Sequence, residues 1–123
     1  MTIRNLEAFM AGLWDWAILD GCFGETRIMP SDTDGEVERN GHFLVLEAKS
    51  PGVLISQGQR IKFQHRAQRG DTVMVIWGKQ NKPENIMIWR PYCRFGPDSF
   101  ACDISKFRDL VSSWFDWADK NGA

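Results

Sequence analysis

The spacing of apolar residues near the N-terminus differs from the spacing in the middle of the chain. In the first stretch apolar residues recur at helical intervals and Asn5 is a favourable N-cap, so we predict a helix from Asn5 to about residue 17. The segment from residue 20 to residue 34 is rich in glycine, which indicates a loop with a short strand around residues 26–29. The apolar face of the helix is expected to be buried and contains Leu6, Phe9, Met10, Leu13, Trp14 and Ala17.

A β-hairpin is the strongest local signal in the sequence. Residues 36–39 and 42–49 both have strand-like patterns, and only Asn40-Gly41 separates them. Asn-Gly between two such runs is typical of a two-residue type I′ turn. Ser50-Pro51-Gly52 then ends the second strand.

The rest of the chain alternates between helical and strand patterns. Ser56 with Gln59 fits a capping box and Gly70 is a stop signal, so a helix is predicted from Ser56 to about residue 69. Strands are expected at residues 72–77 and 85–90, with a turn at residues 81–83 between them. A last helix begins at Asp103 or Ser105. The predicted order is α-β-β-β-α-β-β-α, a mixed α/β architecture. The apolar face of the last helix contains Phe107, Leu110, Val111, Trp114, Phe115 and Ala118.

The hairpin turn fixes a register that brings two acids together. If Asn40 and Gly41 are the loop residues, counting outwards places Asp34 opposite Glu47. A bulge near Gly35 would shift this pairing by one residue. Like charges directly opposite each other are unfavourable, and a divalent cation with oxygen ligands neutralises them. Asp34 and Glu47 are therefore candidate ligands of Mg²⁺ or Mn²⁺.

A lysine completes the candidate site. Side chains alternate along a strand, so Lys49 shares a face with Glu47, while Leu44, Leu46 and Ala48 face the core. A lysine at this position can orient a water molecule or offset charge on a phosphate. Two acids and one lysine are the groups that metal-assisted hydrolysis of a phosphodiester requires.

Length and composition set limits on the class of protein. The 123 residues fit one domain over residues 1–123, and the net charge of −1 leaves room only for a local basic patch. Three cysteines with wide spacing predict neither a disulfide framework nor a zinc site. Neither a signal peptide nor a membrane-spanning stretch is apparent, so a cytoplasmic protein without a membrane partner is expected.

Together these residues resemble a known superfamily. Asp34, then Glu47-Ala48-Lys49, then Gln59 in the following helix looks like the pattern of PD-(D/E)XK nucleases. Residues 31–35 (SDTDG) resemble the TDxDG form of phage-encoded members, with Thr33 where the superfamily has proline. Residues 46–52 (LEAKSPG) resemble the ExK-x-PG stretch of the VRR-NUC branch, which is close to Holliday-junction resolvases. The resemblance covers residues 32–77.

The resemblance implies a restriction-endonuclease-like fold, with a mixed central sheet flanked by helices. It implies a metal-dependent deoxyribonuclease that acts on branched DNA as a homodimer, in a bacterial host cytoplasm if it is phage-encoded. Gln59 would help to position water, lysine or backbone, although its capping role alone also explains it. Glu7 or Asp15 would supply an acid from the first helix, with Glu7 preferred, and Asp32 is a rival ligand to Asp34.

A DNA-binding surface is expected on the helix that follows the site. It carries several cations separated by glutamines, and such a surface can contact phosphates. A catalytically silent nucleic-acid-binding or inhibitor module of the same fold is the alternative function. The proposed DNA-contacting residues are Arg60, Lys62 and Arg66, with Arg69 at the end of the helix.

Overall fold

The computed structural model describes residues 5–122, which fall into two compact units. The first unit ends at Asp32 and the second begins at Thr33. A single nuclease-like domain over residues 1–123 stays a prediction. No helix within residues 5–122 is long and apolar enough to cross a membrane.

The first helix of the N-terminal unit is shorter than predicted. Helix α1 spans Leu6–Ala11, and its N-cap Asn5 accepts a hydrogen bond from the N–H of Ala8, as the sequence indicated. It ends there because Gly12 is its C-cap. A separate 3₁₀ helix, Trp16–Leu19, follows. The expected buried face is wrong, since Leu6, Met10, Leu13 and Trp14 are all at least 60% exposed.

The short strand expected at residues 26–29 does not form. The hydroxyl of Thr26 donates to the carbonyl of Phe23 at 2.7 Å and accepts from the N–H of Ile28 at 3.2 Å. A threonine that bonds to its own neighbouring backbone favours a turn over a strand ladder. Residues 26–29 therefore remain irregular.

The second unit contains a mixed sheet of five strands, which confirms the mixed α/β class. The strands lie side by side in chain order, and only the β2–β3 pair is parallel. The last strand was not predicted, because its four residues carry little pattern and pairing with β4 defines it. The strands are β1 Gly35–Arg39, β2 His42–Lys49, β3 Thr72–Lys79, β4 Lys82–Trp89 and β5 Asp98–Ala101.

The β1–β2 hairpin forms as the sequence predicted. Asn40 and Gly41 have φ values of 53° and 84°, the left-handed conformations that a type I′ turn requires. Arg39 pairs with His42, and the ladder continues as far as Gly35 and Leu46. The predicted register is therefore confirmed within β1, with no bulge at Gly35.

The turn between β3 and β4 lies one residue earlier than predicted. Gln80 and Asn81 form it, with Asn81 at φ 58°, and Pro83 belongs to β4. Pro83 pairs with Gly78 where the ladder is irregular, so its missing N–H disturbs little. A Cβ at Gly78 would lie 2.2 Å from the carbonyl oxygen of Lys82, so only glycine fits there.

Helices cover both faces of the sheet. Helix α2 spans Gln57–Gln68 and helix α3 spans Ile104–Lys120, with Ser56 and Asp103 as their N-caps. One apolar core lies on the α3 side, around Leu44, Met74, Ile86 and Trp114, and a second lies on the α2 side. The second core contains Val45, Phe63, Ala67, Val73, Val75 and Trp89.

The predicted apolar face of α3 is correct except at one position. Trp114 and Ala118 are buried, but Phe115 is 44% exposed. The guanidinium of Arg39 lies 5.6 Å from the centre of the Phe115 ring, which gives this aromatic side chain a cation–π contact at the surface.

Candidate active site

The predicted acids lie where β1 begins and β2 ends. Glu47 and Lys49 lie near the end of β2, and Asp34 directly precedes β1. The β1–β2 ladder stops at the pair Gly35 and Leu46, so Asp34 is not opposed to Glu47 as a strand residue. The predicted register is confirmed up to the pair before these two acids, and the ladder ends one residue short of them.

A hydrogen bond to the backbone nevertheless brings the two acids together. Oδ2 of Asp34 accepts from the N–H of Ala48 at 2.8 Å. The carboxylate of Glu47, which precedes Ala48 in the chain, lies near enough to Asp34 that both the charge and the backbone N–H of Asp34 act on its pKa. Asp34 is therefore held by the backbone directly beside Glu47.

The electrostatics of Glu47 reflect this arrangement. Burial raises the pKa of Glu47, and the negative charge of Asp34 raises it further. The nearby cations Lys49 and Lys62 and the backbone N–H of Asp34 oppose this and lower the pKa. An acid whose charge is disfavoured by burial and by another carboxylate is one that a cation would stabilise.

The side chains of Glu47 and Lys49 lie on the α2 face of the sheet. Val45 belongs to the core under α2, whereas Leu44 and Leu46 pack in the core under α3. Strand alternation therefore places Glu47 and Lys49 with Val45, as the sequence predicted. Both side chains are half-buried, so they combine a partly desolvated setting with access to solvent.

Helix α2 brings two of the predicted residues towards this face. Gln59 is half-buried, and its N–H donates to Oγ of Ser56 at 3.1 Å, which confirms the capping role of Ser56. Lys62 is also half-buried and acts electrostatically on Glu47. Lys62 was predicted only as a DNA contact, and the structure adds it to the charge cluster of the two acids.

Arg60 and Arg66 of the predicted DNA surface have different surroundings. Arg60 is exposed on α2. Arg66 is half-buried, and its Nε lies 2.8 Å from Oδ2 of Asp71, with Glu36 of β1 at 3.9 Å. Arg66 therefore links α2 to β1 and to the start of β3, and this structural pairing reduces its availability for phosphate.

The remaining predicted acids belong to the N-terminal unit. Glu7 lies exposed in the first turn of α1, where its charge complements the helix dipole. Asp15 caps the 3₁₀ helix by accepting from the N–H of Ala17 at 3.0 Å, which explains this residue without catalysis. Asp32 borders a shallow depression within its own unit, together with Leu13 and Trp14.

A cleft of about 490 Å³ opens at the ends of β2 and β3. Asp34 and Lys49 line it on one side, and the β3–β4 turn lines it on the other. Sequence reasoning missed three of its residues. Two lysines flank the Gln80-Asn81 turn, and a correct prediction of that turn would have indicated both of them. The missed residues are Lys79, Lys82 and Phe107.

The donor set fits a hard divalent cation only in part. Carboxylate oxygens suit Mg²⁺, which keeps several waters and is commonly held by one or two carboxylates plus substrate phosphates. Asp34 and Glu47 supply two such groups. No cluster of three or more histidine, cysteine or acidic side chains suited to a metal occurs within residues 5–122. Water and a phosphate oxygen would therefore have to complete the coordination.

Comparisons with protein-family models, with curated proteins and with solved structures found no match to this chain.

Proposed function

We propose that this protein is a metal-dependent deoxyribonuclease that hydrolyses DNA phosphodiester bonds with Mg²⁺ or Mn²⁺. The observation that carries the proposal is the hydrogen bond from Ala48 that holds Asp34 beside Glu47 at the end of β2, with Lys49 next to them. Two carboxylates held together against their mutual repulsion match a site built for a cation. Asp34 and Glu47 are its proposed ligands.

The roles of the neighbouring residues follow from their positions. The metal, when bound, supplies a Lewis acid that polarises the phosphate and lowers the pKa of bound water. Lys49 shares the strand face of Glu47, so its ammonium can orient the attacking water or offset charge that develops on the phosphate. Gln59 and Lys62, both half-buried on α2, are proposed to hold water and to limit the repulsion between the acids.

Membership of the PD-(D/E)XK superfamily, with its restriction-endonuclease-like fold, is part of the same proposal. It is supported by a hairpin that carries the acids, followed by α2 and a strand parallel to β2. The VRR-NUC branch, branched DNA as substrate and a homodimer are proposed with it, on the resemblance of residues 32–77.

Metal binding and cleavage together test this function. Mn²⁺ binding, measured by electron paramagnetic resonance, is expected for the wild type and should be lost in Asp34→Asn and in Glu47→Gln. Asp116→Asn is the matched control, because it removes an exposed acid from α3 outside the candidate site. Loss of binding in Asp32→Asn would instead identify Asp32 as the rival ligand. Cleavage of linear, nicked, flapped and four-way DNA in Mg²⁺ should likewise be lost in Asp34→Asn and in Glu47→Gln and be retained in the control variant.

Two results would contradict the proposal. Equal Mn²⁺ affinity in Asp34→Asn and the wild type would exclude Asp34 as a ligand. DNA binding without cleavage of any substrate in Mg²⁺ or Mn²⁺ would instead favour the silent nucleic-acid-binding module.

A further inference from the structure

Two lysines face each other at the tip of the β3–β4 hairpin. Lys79 pairs directly with Lys82 across the Gln80-Asn81 turn, and both are exposed. Like charges opposite each other in a sheet are destabilising. Neither lysine forms an ion pair with a side chain in the described range 5–122. The pair is therefore an uncompensated positive site at which an anion would bind favourably.

The sheet places this tip beside the candidate catalytic residues. Because β2 and β3 are parallel, their carboxyl ends meet at the same edge of the sheet, and Lys49 pairs with Trp77. Lys79 follows Trp77 by two residues on the same strand. Lys49, Lys79 and Lys82 consequently line one cleft together with Asp34.

The inner surface of this cleft is apolar. Leu46, Ile76, Pro83 and Phe107 line it, and Phe107 is only half-buried, so part of its ring is accessible. A basic rim around an aromatic and aliphatic floor is the combination that proteins use for unpaired nucleotides, since the rim binds phosphate and the ring stacks on the base.

We propose that this cleft binds one unpaired nucleotide of the DNA strand next to the bond that is cut. Lys79 and Lys82 hold its phosphate, and Phe107 contacts its base. The inference rests on the proposed nuclease function and narrows its substrate to DNA with a single-stranded segment at the site. A volume of about 490 Å³ lies within the range of roughly 300–1,000 Å³ typical of small-ligand sites, which suits a single nucleotide.

Binding of short fluorescein-labelled oligodeoxynucleotides, followed by anisotropy with Ca²⁺ in place of Mg²⁺, tests the site without cleavage. Wild-type protein should bind a single strand more tightly than a blunt duplex of the same sequence. Lys79→Gln/Lys82→Gln should weaken single-strand binding roughly tenfold and lower the salt dependence by about 0.7 per lost phosphate contact. Phe107→Leu, which keeps an apolar side chain against the α3 core, should weaken it by a roughly similar factor.

Two controls separate this role from a structural one. Arg108→Gln/Lys120→Gln removes two exposed cations from α3 outside the cleft and should leave single-strand affinity unchanged. The melting temperature of Lys79→Gln/Lys82→Gln should equal or exceed that of the wild type, because the repulsion between the lysines is removed.

The outcomes distinguish this site from the nuclease itself. Single-strand binding that depends on Lys79 and Lys82 but occurs in a protein without Mg²⁺-dependent cleavage supports the cleft and overturns the nuclease. Cleavage that persists with no preference for single-stranded segments, and binding that is unchanged in the double variant, overturns the cleft alone. Equal losses of affinity in the double variant and in the α3 control also overturn it, because the effect would then be one of net charge.

Discussion

The two hairpins of the sheet both have an asparagine in a two-residue turn, but they differ in turn geometry and in what surrounds their tips. Asn40 and Asn81 both adopt positive φ, at 53° and 58°. The β1–β2 tip is fixed to the end of α3, since the side chain of Asn40 donates to the carbonyls of Ala118 and Asp119 at 3.1 and 3.0 Å. At the β3–β4 tip, side chains 79–82 have no such partner within residues 5–122, and they border the cleft.

Further contacts reinforce the tip of the first hairpin. Nε of Arg39 donates to Asp119 at 2.8 Å. Nε2 of His42 donates to the carbonyl of Asn121, and its ring centre lies 4.3 Å from that of Trp117. His42 is buried in these contacts. The tip of this hairpin is structural, and its open end carries the acids.

The difference shows that two short turns in one sheet can serve two purposes. The tip of the first hairpin packs against α3, and this packing helps to fix the strand ends that hold Asp34 and Glu47. The second leaves its tip free, so Lys79 and Lys82 face solvent and line a cleft together with Asp34. The first hairpin carries an unfavourable pair of negative charges, which a metal ion would neutralise. The second carries an unfavourable pair of positive charges, which a phosphate would neutralise.

Replacement of Lys49 should produce the largest effect. Lys49→Met keeps the length and apolar stem of the side chain but removes its charge. The single-turnover cleavage rate at saturating DNA in Mg²⁺ should fall by about 10²-fold or more, because the lysine acts in the transition state. DNA affinity in Ca²⁺ should change much less, and Lys120→Met serves as the matched control. A wild-type rate for Lys49→Met would show that the lysine is an ordinary surface residue.

Matched substitutions of the two turn asparagines compare the hairpins directly. Alanine at either position has to adopt a left-handed conformation, which costs about 1 kcal/mol. Asn40→Ala also loses two hydrogen bonds to α3, so we expect a loss of about 2 kcal/mol, against about 1 kcal/mol for Asn81→Ala. Urea unfolding followed by tryptophan fluorescence measures both. Equal losses would mean that the contacts of the first tip with α3 add nothing to stability.

A pair of arginines on α2 tests what supports the acidic hairpin. Arg66→Gln breaks the half-buried contact with Asp71 and the longer one with Glu36 of β1, and should lower the free energy of unfolding by about 1 kcal/mol. Arg60→Gln should leave stability unchanged and weaken DNA binding at low salt for all sequences alike. The opposite assignment, with Arg60 stabilising the fold and Arg66 binding DNA, would restore the surface that the sequence predicted.

The smallest effect concerns the charge of Glu47 in the metal-free protein. Burial and Asp34 raise the pKa of Glu47, so the folded protein holds this proton more tightly than the unfolded chain does. Ionisation of Glu47 therefore reduces stability as pH rises from the ordinary glutamate pKa through the raised one. In EDTA, Glu47→Gln should melt slightly above the wild type at neutral pH, and the gap should close by about pH 4. A gap that widens on acidification would reverse the inferred sign.

Local signals in the sequence were sufficient for the elements that carry the acids. Asn40-Gly41 set the type I′ turn and with it the register from Arg39 to Gly35, because few residues tolerate two consecutive positive φ values. Ser56 and Gly70 set the limits of α2, and alternation along β2 set the shared face of Glu47 and Lys49. These features depend on neighbours in the chain, so they can be predicted from the sequence alone.

The tertiary structure decided what depends on residues distant in sequence. The hydrogen bond from Ala48 to Asp34, the proximity of Lys62 to Glu47 and the pairing of Arg66 with Asp71 and Glu36 follow from how elements pack, which no local pattern encodes. β5 exists because β4 offers it a partner edge. The cleft arises because parallel pairing of β2 and β3 puts the acids and the lysine-bearing turn at one edge of the sheet. The cleft is formed by segments that are distant in sequence, so its shape and its charge become apparent only in the assembled sheet.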